Sequence, residues 1–188
     1  MSQIIIFDTE TTGIPNWKTP SGGDDQPHIV SLAALMVEEQ TKEVIQTLNL
    51  IVKPDGWEIP QETIDVHGIT NELAAEVGVP EEAALNIFLN LWNGRKRIAY
   101  NTTFDNRIIR IATKRYKNEQ VIVNWKDGQY ECAMIGSKKV MGGKNPKLEA
   151  AYKYFMGTEL EGAHDALVDT KACMDVYFAM KEASAEAA

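Results

Sequence analysis

Cysteine is scarce in this 188-residue chain, with only Cys132 and Cys173. Two thiols build no disulfide framework, which favours a reducing compartment, and the expected location is cytoplasmic. No apolar run approaches the ~20 residues a membrane span requires, and Met1-Ser2-Gln3 lacks the basic head of a signal peptide. There is no internal repeat and no linker-like shift in composition. One domain over residues 1–182 is therefore expected, with 183–188 as a frayed C-terminal tail. Positive charge is short as well: 19 Lys and Arg stand against 27 Asp and Glu, a net charge of −8. At first sight that argues against a polyanionic partner.

The local distribution reverses this. Residues 95–153 hold fourteen Lys and Arg and five acids, so a basic middle segment is hidden by the acidic total. Within 95–117, eight basic residues face one acid, Asp105. Such a run is either a phosphate-binding surface or a solvated helix face. Lys138, Lys139, Lys144 and Lys147 carry the same two readings.

The apolar pattern implies strands over Gln3–Phe7, His28–Val37, Val44–Val52 and Arg97–Asn101. Helices are expected from Pro80 to about Gly94, Thr103 to Tyr116, Lys147 to Phe155, and from a cap at Asp165 to about Glu182. Leading strands followed by interleaved helices indicate an α/β domain, a mixed sheet of about five strands with helices on both faces. Thr19–Pro27 is expected to be a mobile loop, and Pro15–Pro27 either a lid or a tolerated insertion. His28, Trp57, Trp92 and Trp125 are read as structural, and both cysteines as buried thiols.

Three segments carry chemistry. Asp8 and Glu10 lie two apart at the end of the first strand, so an extended backbone aims both at one side. Paired acids repel unless a cation neutralises them, and oxygen-only ligands suit Mg²⁺ or Mn²⁺. Asp105 sits in the first turn of a mid-chain helix. His164 and Asp169 are five apart, about 140° around a helix, so they converge only if His164 stands in the preceding loop. Taken singly, each segment is equally a solvated strand end or a capped helix. Taken together, four carboxylates can hold two divalent ions about 4 Å apart for phosphodiester chemistry.

The run Ile4-Ile-Ile-Phe-Asp-Thr-Glu-Thr-Thr-Gly13, with Asn101-Thr-Thr-Phe-Asp105 and His164-Asp-Ala-Leu-Val-Asp169 in that order, resembles the DEDDh-type 3′–5′ exonucleases of the ribonuclease H-like superfamily. Lys147-Leu-Glu-Ala-Ala-Tyr-Lys-Tyr-Phe155 is similar to the helix that family places before its last motif. The resemblance covers residues 3–180. It implies a ribonuclease H-like fold and two divalent cations, Mg²⁺ or Mn²⁺, on Asp8, Glu10, Asp105 and Asp169, with His164 as general base. Substrate contacts are implied for Thr11, Thr12, Gly13, Ile14 (as an apolar wedge), His67, Asn101 and Phe104. One departure is Ser31, where many relatives carry Glu or Gln.

The activity so implied is release of 5′-nucleoside monophosphates from a nucleic-acid 3′ end, single-stranded and of DNA. Alternatives are an exoribonuclease similar to oligoribonuclease or ribonuclease T, and a polymerase-associated proofreading or binding subunit. The expected partners are that 3′ end and either a polymerase or a second copy of the chain, with no membrane.

Overall fold

A computed structural model describes residues 2–186. Its first strand, β1 (Gln3–Thr11), is apolar on both sides by simple alternation. Ile4 and Ile6 face one core and Ile5 and Phe7 the other, all four fully buried. A strand buried on both faces belongs at the centre of a sheet with helices above and below.

The chain next lays down β2 (Ile29–Glu38) and β3 (Val44–Lys53), each antiparallel to its predecessor. Short helices α1 (Gln61–His67) and α2 (Asn71–Val77) lead to the two-residue strand β4 (Val79–Pro80) and to α3 (Glu81–Trp92). Then β5 (Lys96–Ala99) runs parallel to β1 and enters α4 (Thr102–Tyr116). After α5 (Glu119–Asp127), β6 (Tyr130–Cys132) pairs parallel to β5. The chain ends on α6 (Ala133–Met141), α7 (Leu148–Met156) and α8 (Ala166–Glu186).

Strand order is β4-β3-β2-β1-β5-β6. Residues of α3, α4 and α5 pack on the Ile5/Phe7 side, around Phe88, Trp92, Ile108 and Trp125. Residues of α6, α7 and α8 pack on the Ile4/Ile6 side, around Ala133, Ala151, Val176 and Tyr177. The sheet has six strands rather than about five, because β4 and β6 are too short to show a periodicity. The helix α8 continues through Glu186, beyond the start of the tail expected to fray; residues 187–188 of that tail lie outside the described residues.

Trp92 and Trp125 are core residues, while Trp57 stacks on His28 with ring centroids 4.5 Å apart. The His28 Nδ1 lies 2.8 Å from the Glu81 carboxylate. Glu81, 4% exposed, also accepts from the Ile29 N–H, Arg115 and the Tyr116 hydroxyl. Cys173 is buried, whereas Cys132 is only half-buried at the end of β6, and both are free thiols.

The loop expected to be mobile is tied down. Gln26 Nε2 donates to Asn16 O (2.9 Å) and Pro20 O (3.1 Å), and Arg107 Nη2 donates to Asn16 O and Thr19 O. Composition marks such a segment as irregular, but here the buried Gln26 and half-buried Arg107 side chains satisfy its carbonyls.

Candidate active site

The extended backbone of β1 runs on through Thr11, so Asp8 and Glu10 belong to the strand itself. By alternation they follow Ile4 and Ile6 on the α8 side of the sheet. Thr9 points to the other side, toward α4. There Asp105, 3% exposed, accepts from both the Thr9 N–H (3.1 Å) and the Thr9 hydroxyl (2.8 Å) through Oδ1. The β5–α4 junction that delivers Asp105 is fastened by Thr102, whose hydroxyl donates to Glu131 O at 2.7 Å. Both β1 and β5 point their carboxyl ends at this spot, the side of a parallel pair where α/β proteins bind ligands.

On the other side α8 begins with Asp165, whose Oδ1 accepts the Leu167 and Val168 N–H groups at 2.9 and 3.0 Å. That cap leaves His164 in the loop, as convergence with Asp169 requires. His164 has φ 70, a left-handed conformation that costs a non-glycine residue about 1–3 kcal/mol. Its N–H donates to Asp169 Oδ2 at 3.1 Å. Side-chain atoms of Glu10, His164 and Asp169 all lie within 4.8 Å of one another.

Such crowding of carboxylates works against ionisation. Burial first, then the charges of Asp105, Glu10 and Asp169, push the Asp8 carboxyl well above the usual range. Burial and Asp169 push Glu10 up to about 8. Burial pushes Asp105 up to about 7 against the opposing Thr9 hydrogen bonds. Asp169 is pushed up to about 6 by burial, with the His164 N–H pulling the other way. Asp169 Oδ1 is buried and has no partner. A clustered set of oxygen donors, mutually repelling and with an orphaned lone pair, fits a hard divalent cation such as Mg²⁺ or Mn²⁺.

The protein-family model described as "Exonuclease", RNase T, matches residues 5–177. The chain belongs to this exonuclease family. Comparison with curated protein sequences yields no match. Among solved structures the chain is similar to E. coli exonuclease I in complex with a dT13 oligonucleotide, at TM-score 0.78 and 21% identity over 100% of this chain and 42% of that one. It is also similar to a moderately thermophilic exonuclease I from Methylocaldum szegediense, at TM-score 0.74 and 21% identity over 97% and 41%. Cell-death related nuclease 4 matches at TM-score 0.69 and 14% identity over 97% and 64%. The chain thus spans about two-fifths of the length of the exonuclease I structures it matches. At these identities the likeness establishes the fold, a ribonuclease H-like α/β sheet.

In this exonuclease domain the residues with implied substrate contacts lie on several different elements. Ile14 is 79% exposed, an unusual position for a large apolar side chain just beyond the end of β1. Thr11 bridges to Gly13, donating from its hydroxyl to Gly13 O at 2.7 Å. Thr12 donates its N–H to His28 O at 3.0 Å. The β1–β2 ladder resumes beyond the irregularity between Glu10 and Thr11 and uses that donor. Asn101 is exposed, and its carbonyl accepts the Phe104 N–H in the first turn of α4. Phe104 is half-buried against the Phe7 side of the core. His67 ends α1, its Nδ1 accepting the Ile69 N–H at 3.1 Å and its Nε2 buried without a partner. Among the described residues no hydrogen bond joins Ile14, His67, Asn101 or Phe104 to the four carboxylates.

Part of the basic segment is spent on the protein itself. Lys96 pairs with Glu39 and Glu131, Arg115 with Glu81, Lys117 with Glu82, and Arg95 reaches Gln3 and Leu91 O. A run of charge in sequence says nothing of the acids that other elements bring opposite it. Thr9 is the site residue that the motifs left out. The signal for it was the same alternation that pairs Asp8 with Glu10, since the residue between them must face α4.

Proposed function

We propose that this chain is a 3′–5′ exonuclease that removes 5′-nucleoside monophosphates from single-stranded DNA. The observation that carries the reading is the convergence of Asp8, Glu10, Asp105 and Asp169, with an unpartnered Asp169 oxygen, beside the loop histidine His164. Asp8, Glu10, Asp105 and Asp169 would hold two divalent cations. Those cations would supply water activation and stabilisation of the leaving 3′ oxygen.

The protein's own groups then have distinct tasks. His164, exposed and adjacent to Glu10 and Asp169, takes the proton of the attacking water and releases it to solvent. Its strained backbone is held by the N–H bond to Asp169, so one carboxylate both binds and positions. Thr9 holds the Asp105 carboxylate in one orientation. Ile14 would press on the terminal base, and Gly13, without a side chain, lets the sugar-phosphate approach. A single DNA strand is favoured by the oligonucleotide complex of the similarly folded E. coli exonuclease I.

The deciding experiment uses matched 3′-labelled DNA and RNA oligonucleotides with Mg²⁺. Stepwise shortening from the 3′ end, faster on DNA, is expected. Asp8→Ala and Asp169→Ala should abolish turnover, and His164→Ala should reduce it by about 10²–10⁴. Full activity in Asp8→Ala, or equal activity in EDTA, would sink the assignment. Faster RNA shortening would make the enzyme an exoribonuclease.

A further inference from the structure

We propose that a second nucleotide-phosphate site lies across α4 from the carboxylate cluster, in a cavity of about 340 Å³ walled by Arg97, Arg107, Arg110 and Lys126 with Trp17 and Tyr130 at its mouth. At 100° per residue, Thr103, Asn106, Arg107 and Arg110 are centred about 150° around the helix from Asp105. The helix therefore separates the two sites. No acidic residue lines the cavity, and Asp127, next to Lys126, lines a different one.

Unlike Lys96, Arg115 and Lys117, these cations have no carboxylate partner among the described residues. Arg97, 1% exposed, spends Nε on Asn106 Oδ1 (2.8 Å) and lies 3.9 Å over the Trp125 ring, yet its Nη1 is buried without a partner. The Nε atoms of Arg107 and Arg110 are likewise buried and unpartnered. Burial pulls the Arg97 guanidinium down to about 10, and Arg107 is lowered by burial and by the charge of Arg110. Three orphaned guanidinium donors on one cavity amount to an anion site, because a buried cation donor without an acceptor is costly. Guanidinium forks match phosphate oxygens.

The aromatic rim narrows the anion to a nucleotide. Trp17 is 52% exposed, with the Arg107 guanidinium 5.6 Å from its ring centroid, and Tyr130 is 57% exposed. Exposed rings beside phosphate-binding cations are how proteins grip nucleotides without reading their sequence. The phosphate belongs either to a free mononucleotide or to a single strand held at a second point.

The test is run in EDTA, which separates it from cation-dependent catalysis. Inorganic phosphate, dTMP and a dT oligonucleotide are titrated calorimetrically, with tryptophan fluorescence as a second signal. Arg110→Ala/Lys126→Ala is the chosen variant, since neither side chain makes a hydrogen bond among the described residues. Saturable binding of phosphate and dTMP, weakened roughly tenfold or more in that variant, supports the site. Trp17→Ala should weaken dTMP but not phosphate. Tighter oligonucleotide binding, with a salt slope that flattens in the double variant, assigns the phosphate to a strand; equal affinities assign it to a mononucleotide. No saturable binding of any probe, or identical affinities in wild type and double variant, overturns the proposal. Turnover in Mg²⁺ on a saturating short substrate should stay within about twofold of wild type for the double variant, so loss of this site and loss of the proposed catalytic reading are told apart.

Discussion

Thr9 and Glu81 show how single side chains decide the site and the stability. Thr9 gives Asp105 two hydrogen bonds on one oxygen and so opposes the upward push of burial. Thr9→Val keeps the shape but removes the hydroxyl, and should lower kcat about tenfold at neutral pH with the fold intact by circular dichroism. Glu81 is the reverse case. Burial raises its pKa, but the His28 hydrogen bond, the Ile29 N–H and the Arg115 charge outweigh that and leave it below the usual range. A depressed carboxyl contributes stability that is fully present above its unfolded pKa and is lost as pH falls through the folded one. Glu81→Gln strands Arg115 beside half-buried His28, and a loss of about 3 kcal/mol in urea unfolding is expected at pH 7, shrinking toward pH 3.

At the scale of elements, α4 is the piece with two functions. Its first turn presents Asp105 to β1, and its opposite face carries Arg107 and Arg110. It also anchors the 15–27 loop, whose carbonyls at Asn16 and Thr19 depend on Arg107. Arg107→Ala should release that loop, with amide exchange over residues 16–26 rising at least tenfold while β1 and β2 stay protected. Unchanged exchange there would mean that Gln26 alone holds the loop.

For the molecule as a whole, the carboxylate cluster couples folding to pH. The raised pKa values mean that the folded chain binds more protons than the unfolded one between about pH 4 and 8. Stability of the cation-free protein therefore falls as pH rises through that window. Melting in EDTA should drop by on the order of 5 °C from pH 5 to pH 8, and Mg²⁺ should recover the loss at pH 8 but add little at pH 5. A flat profile would show that the carboxylates stay ionised without a cation. The acidic total of the chain hides this arrangement: three of the eight basic residues between 95 and 117 are paired with carboxylates, and Arg97, Arg107 and Arg110 gather in one cavity.

Alternation and helical period were enough to reveal β1, β2, β3, β5, α3, α4, α7 and α8. The segments with Asp8, Glu10, Asp105, His164 and Asp169 were legible too, since strand ends and helix starts leave local signals. The strands β4 and β6, two and three residues long, are too short for a period, and the helices α1, α2, α5 and α6 bury at most two residues each and were not read. The loop after Gly13 carried turn residues but no trace of the Arg107 and Gln26 donors that bind it. Sequence alone marked which residues are candidates for chemistry and in what order. Tertiary structure alone decided which charges are neutralised, which Thr12 donor is already taken, and which arginines are left without partners. The reason is physical: hydrogen bonds and ion pairs join residues far apart in sequence, 96 positions for Thr9 with Asp105 and 140 for Lys42 with Glu182, and no local pattern encodes a partner at that distance.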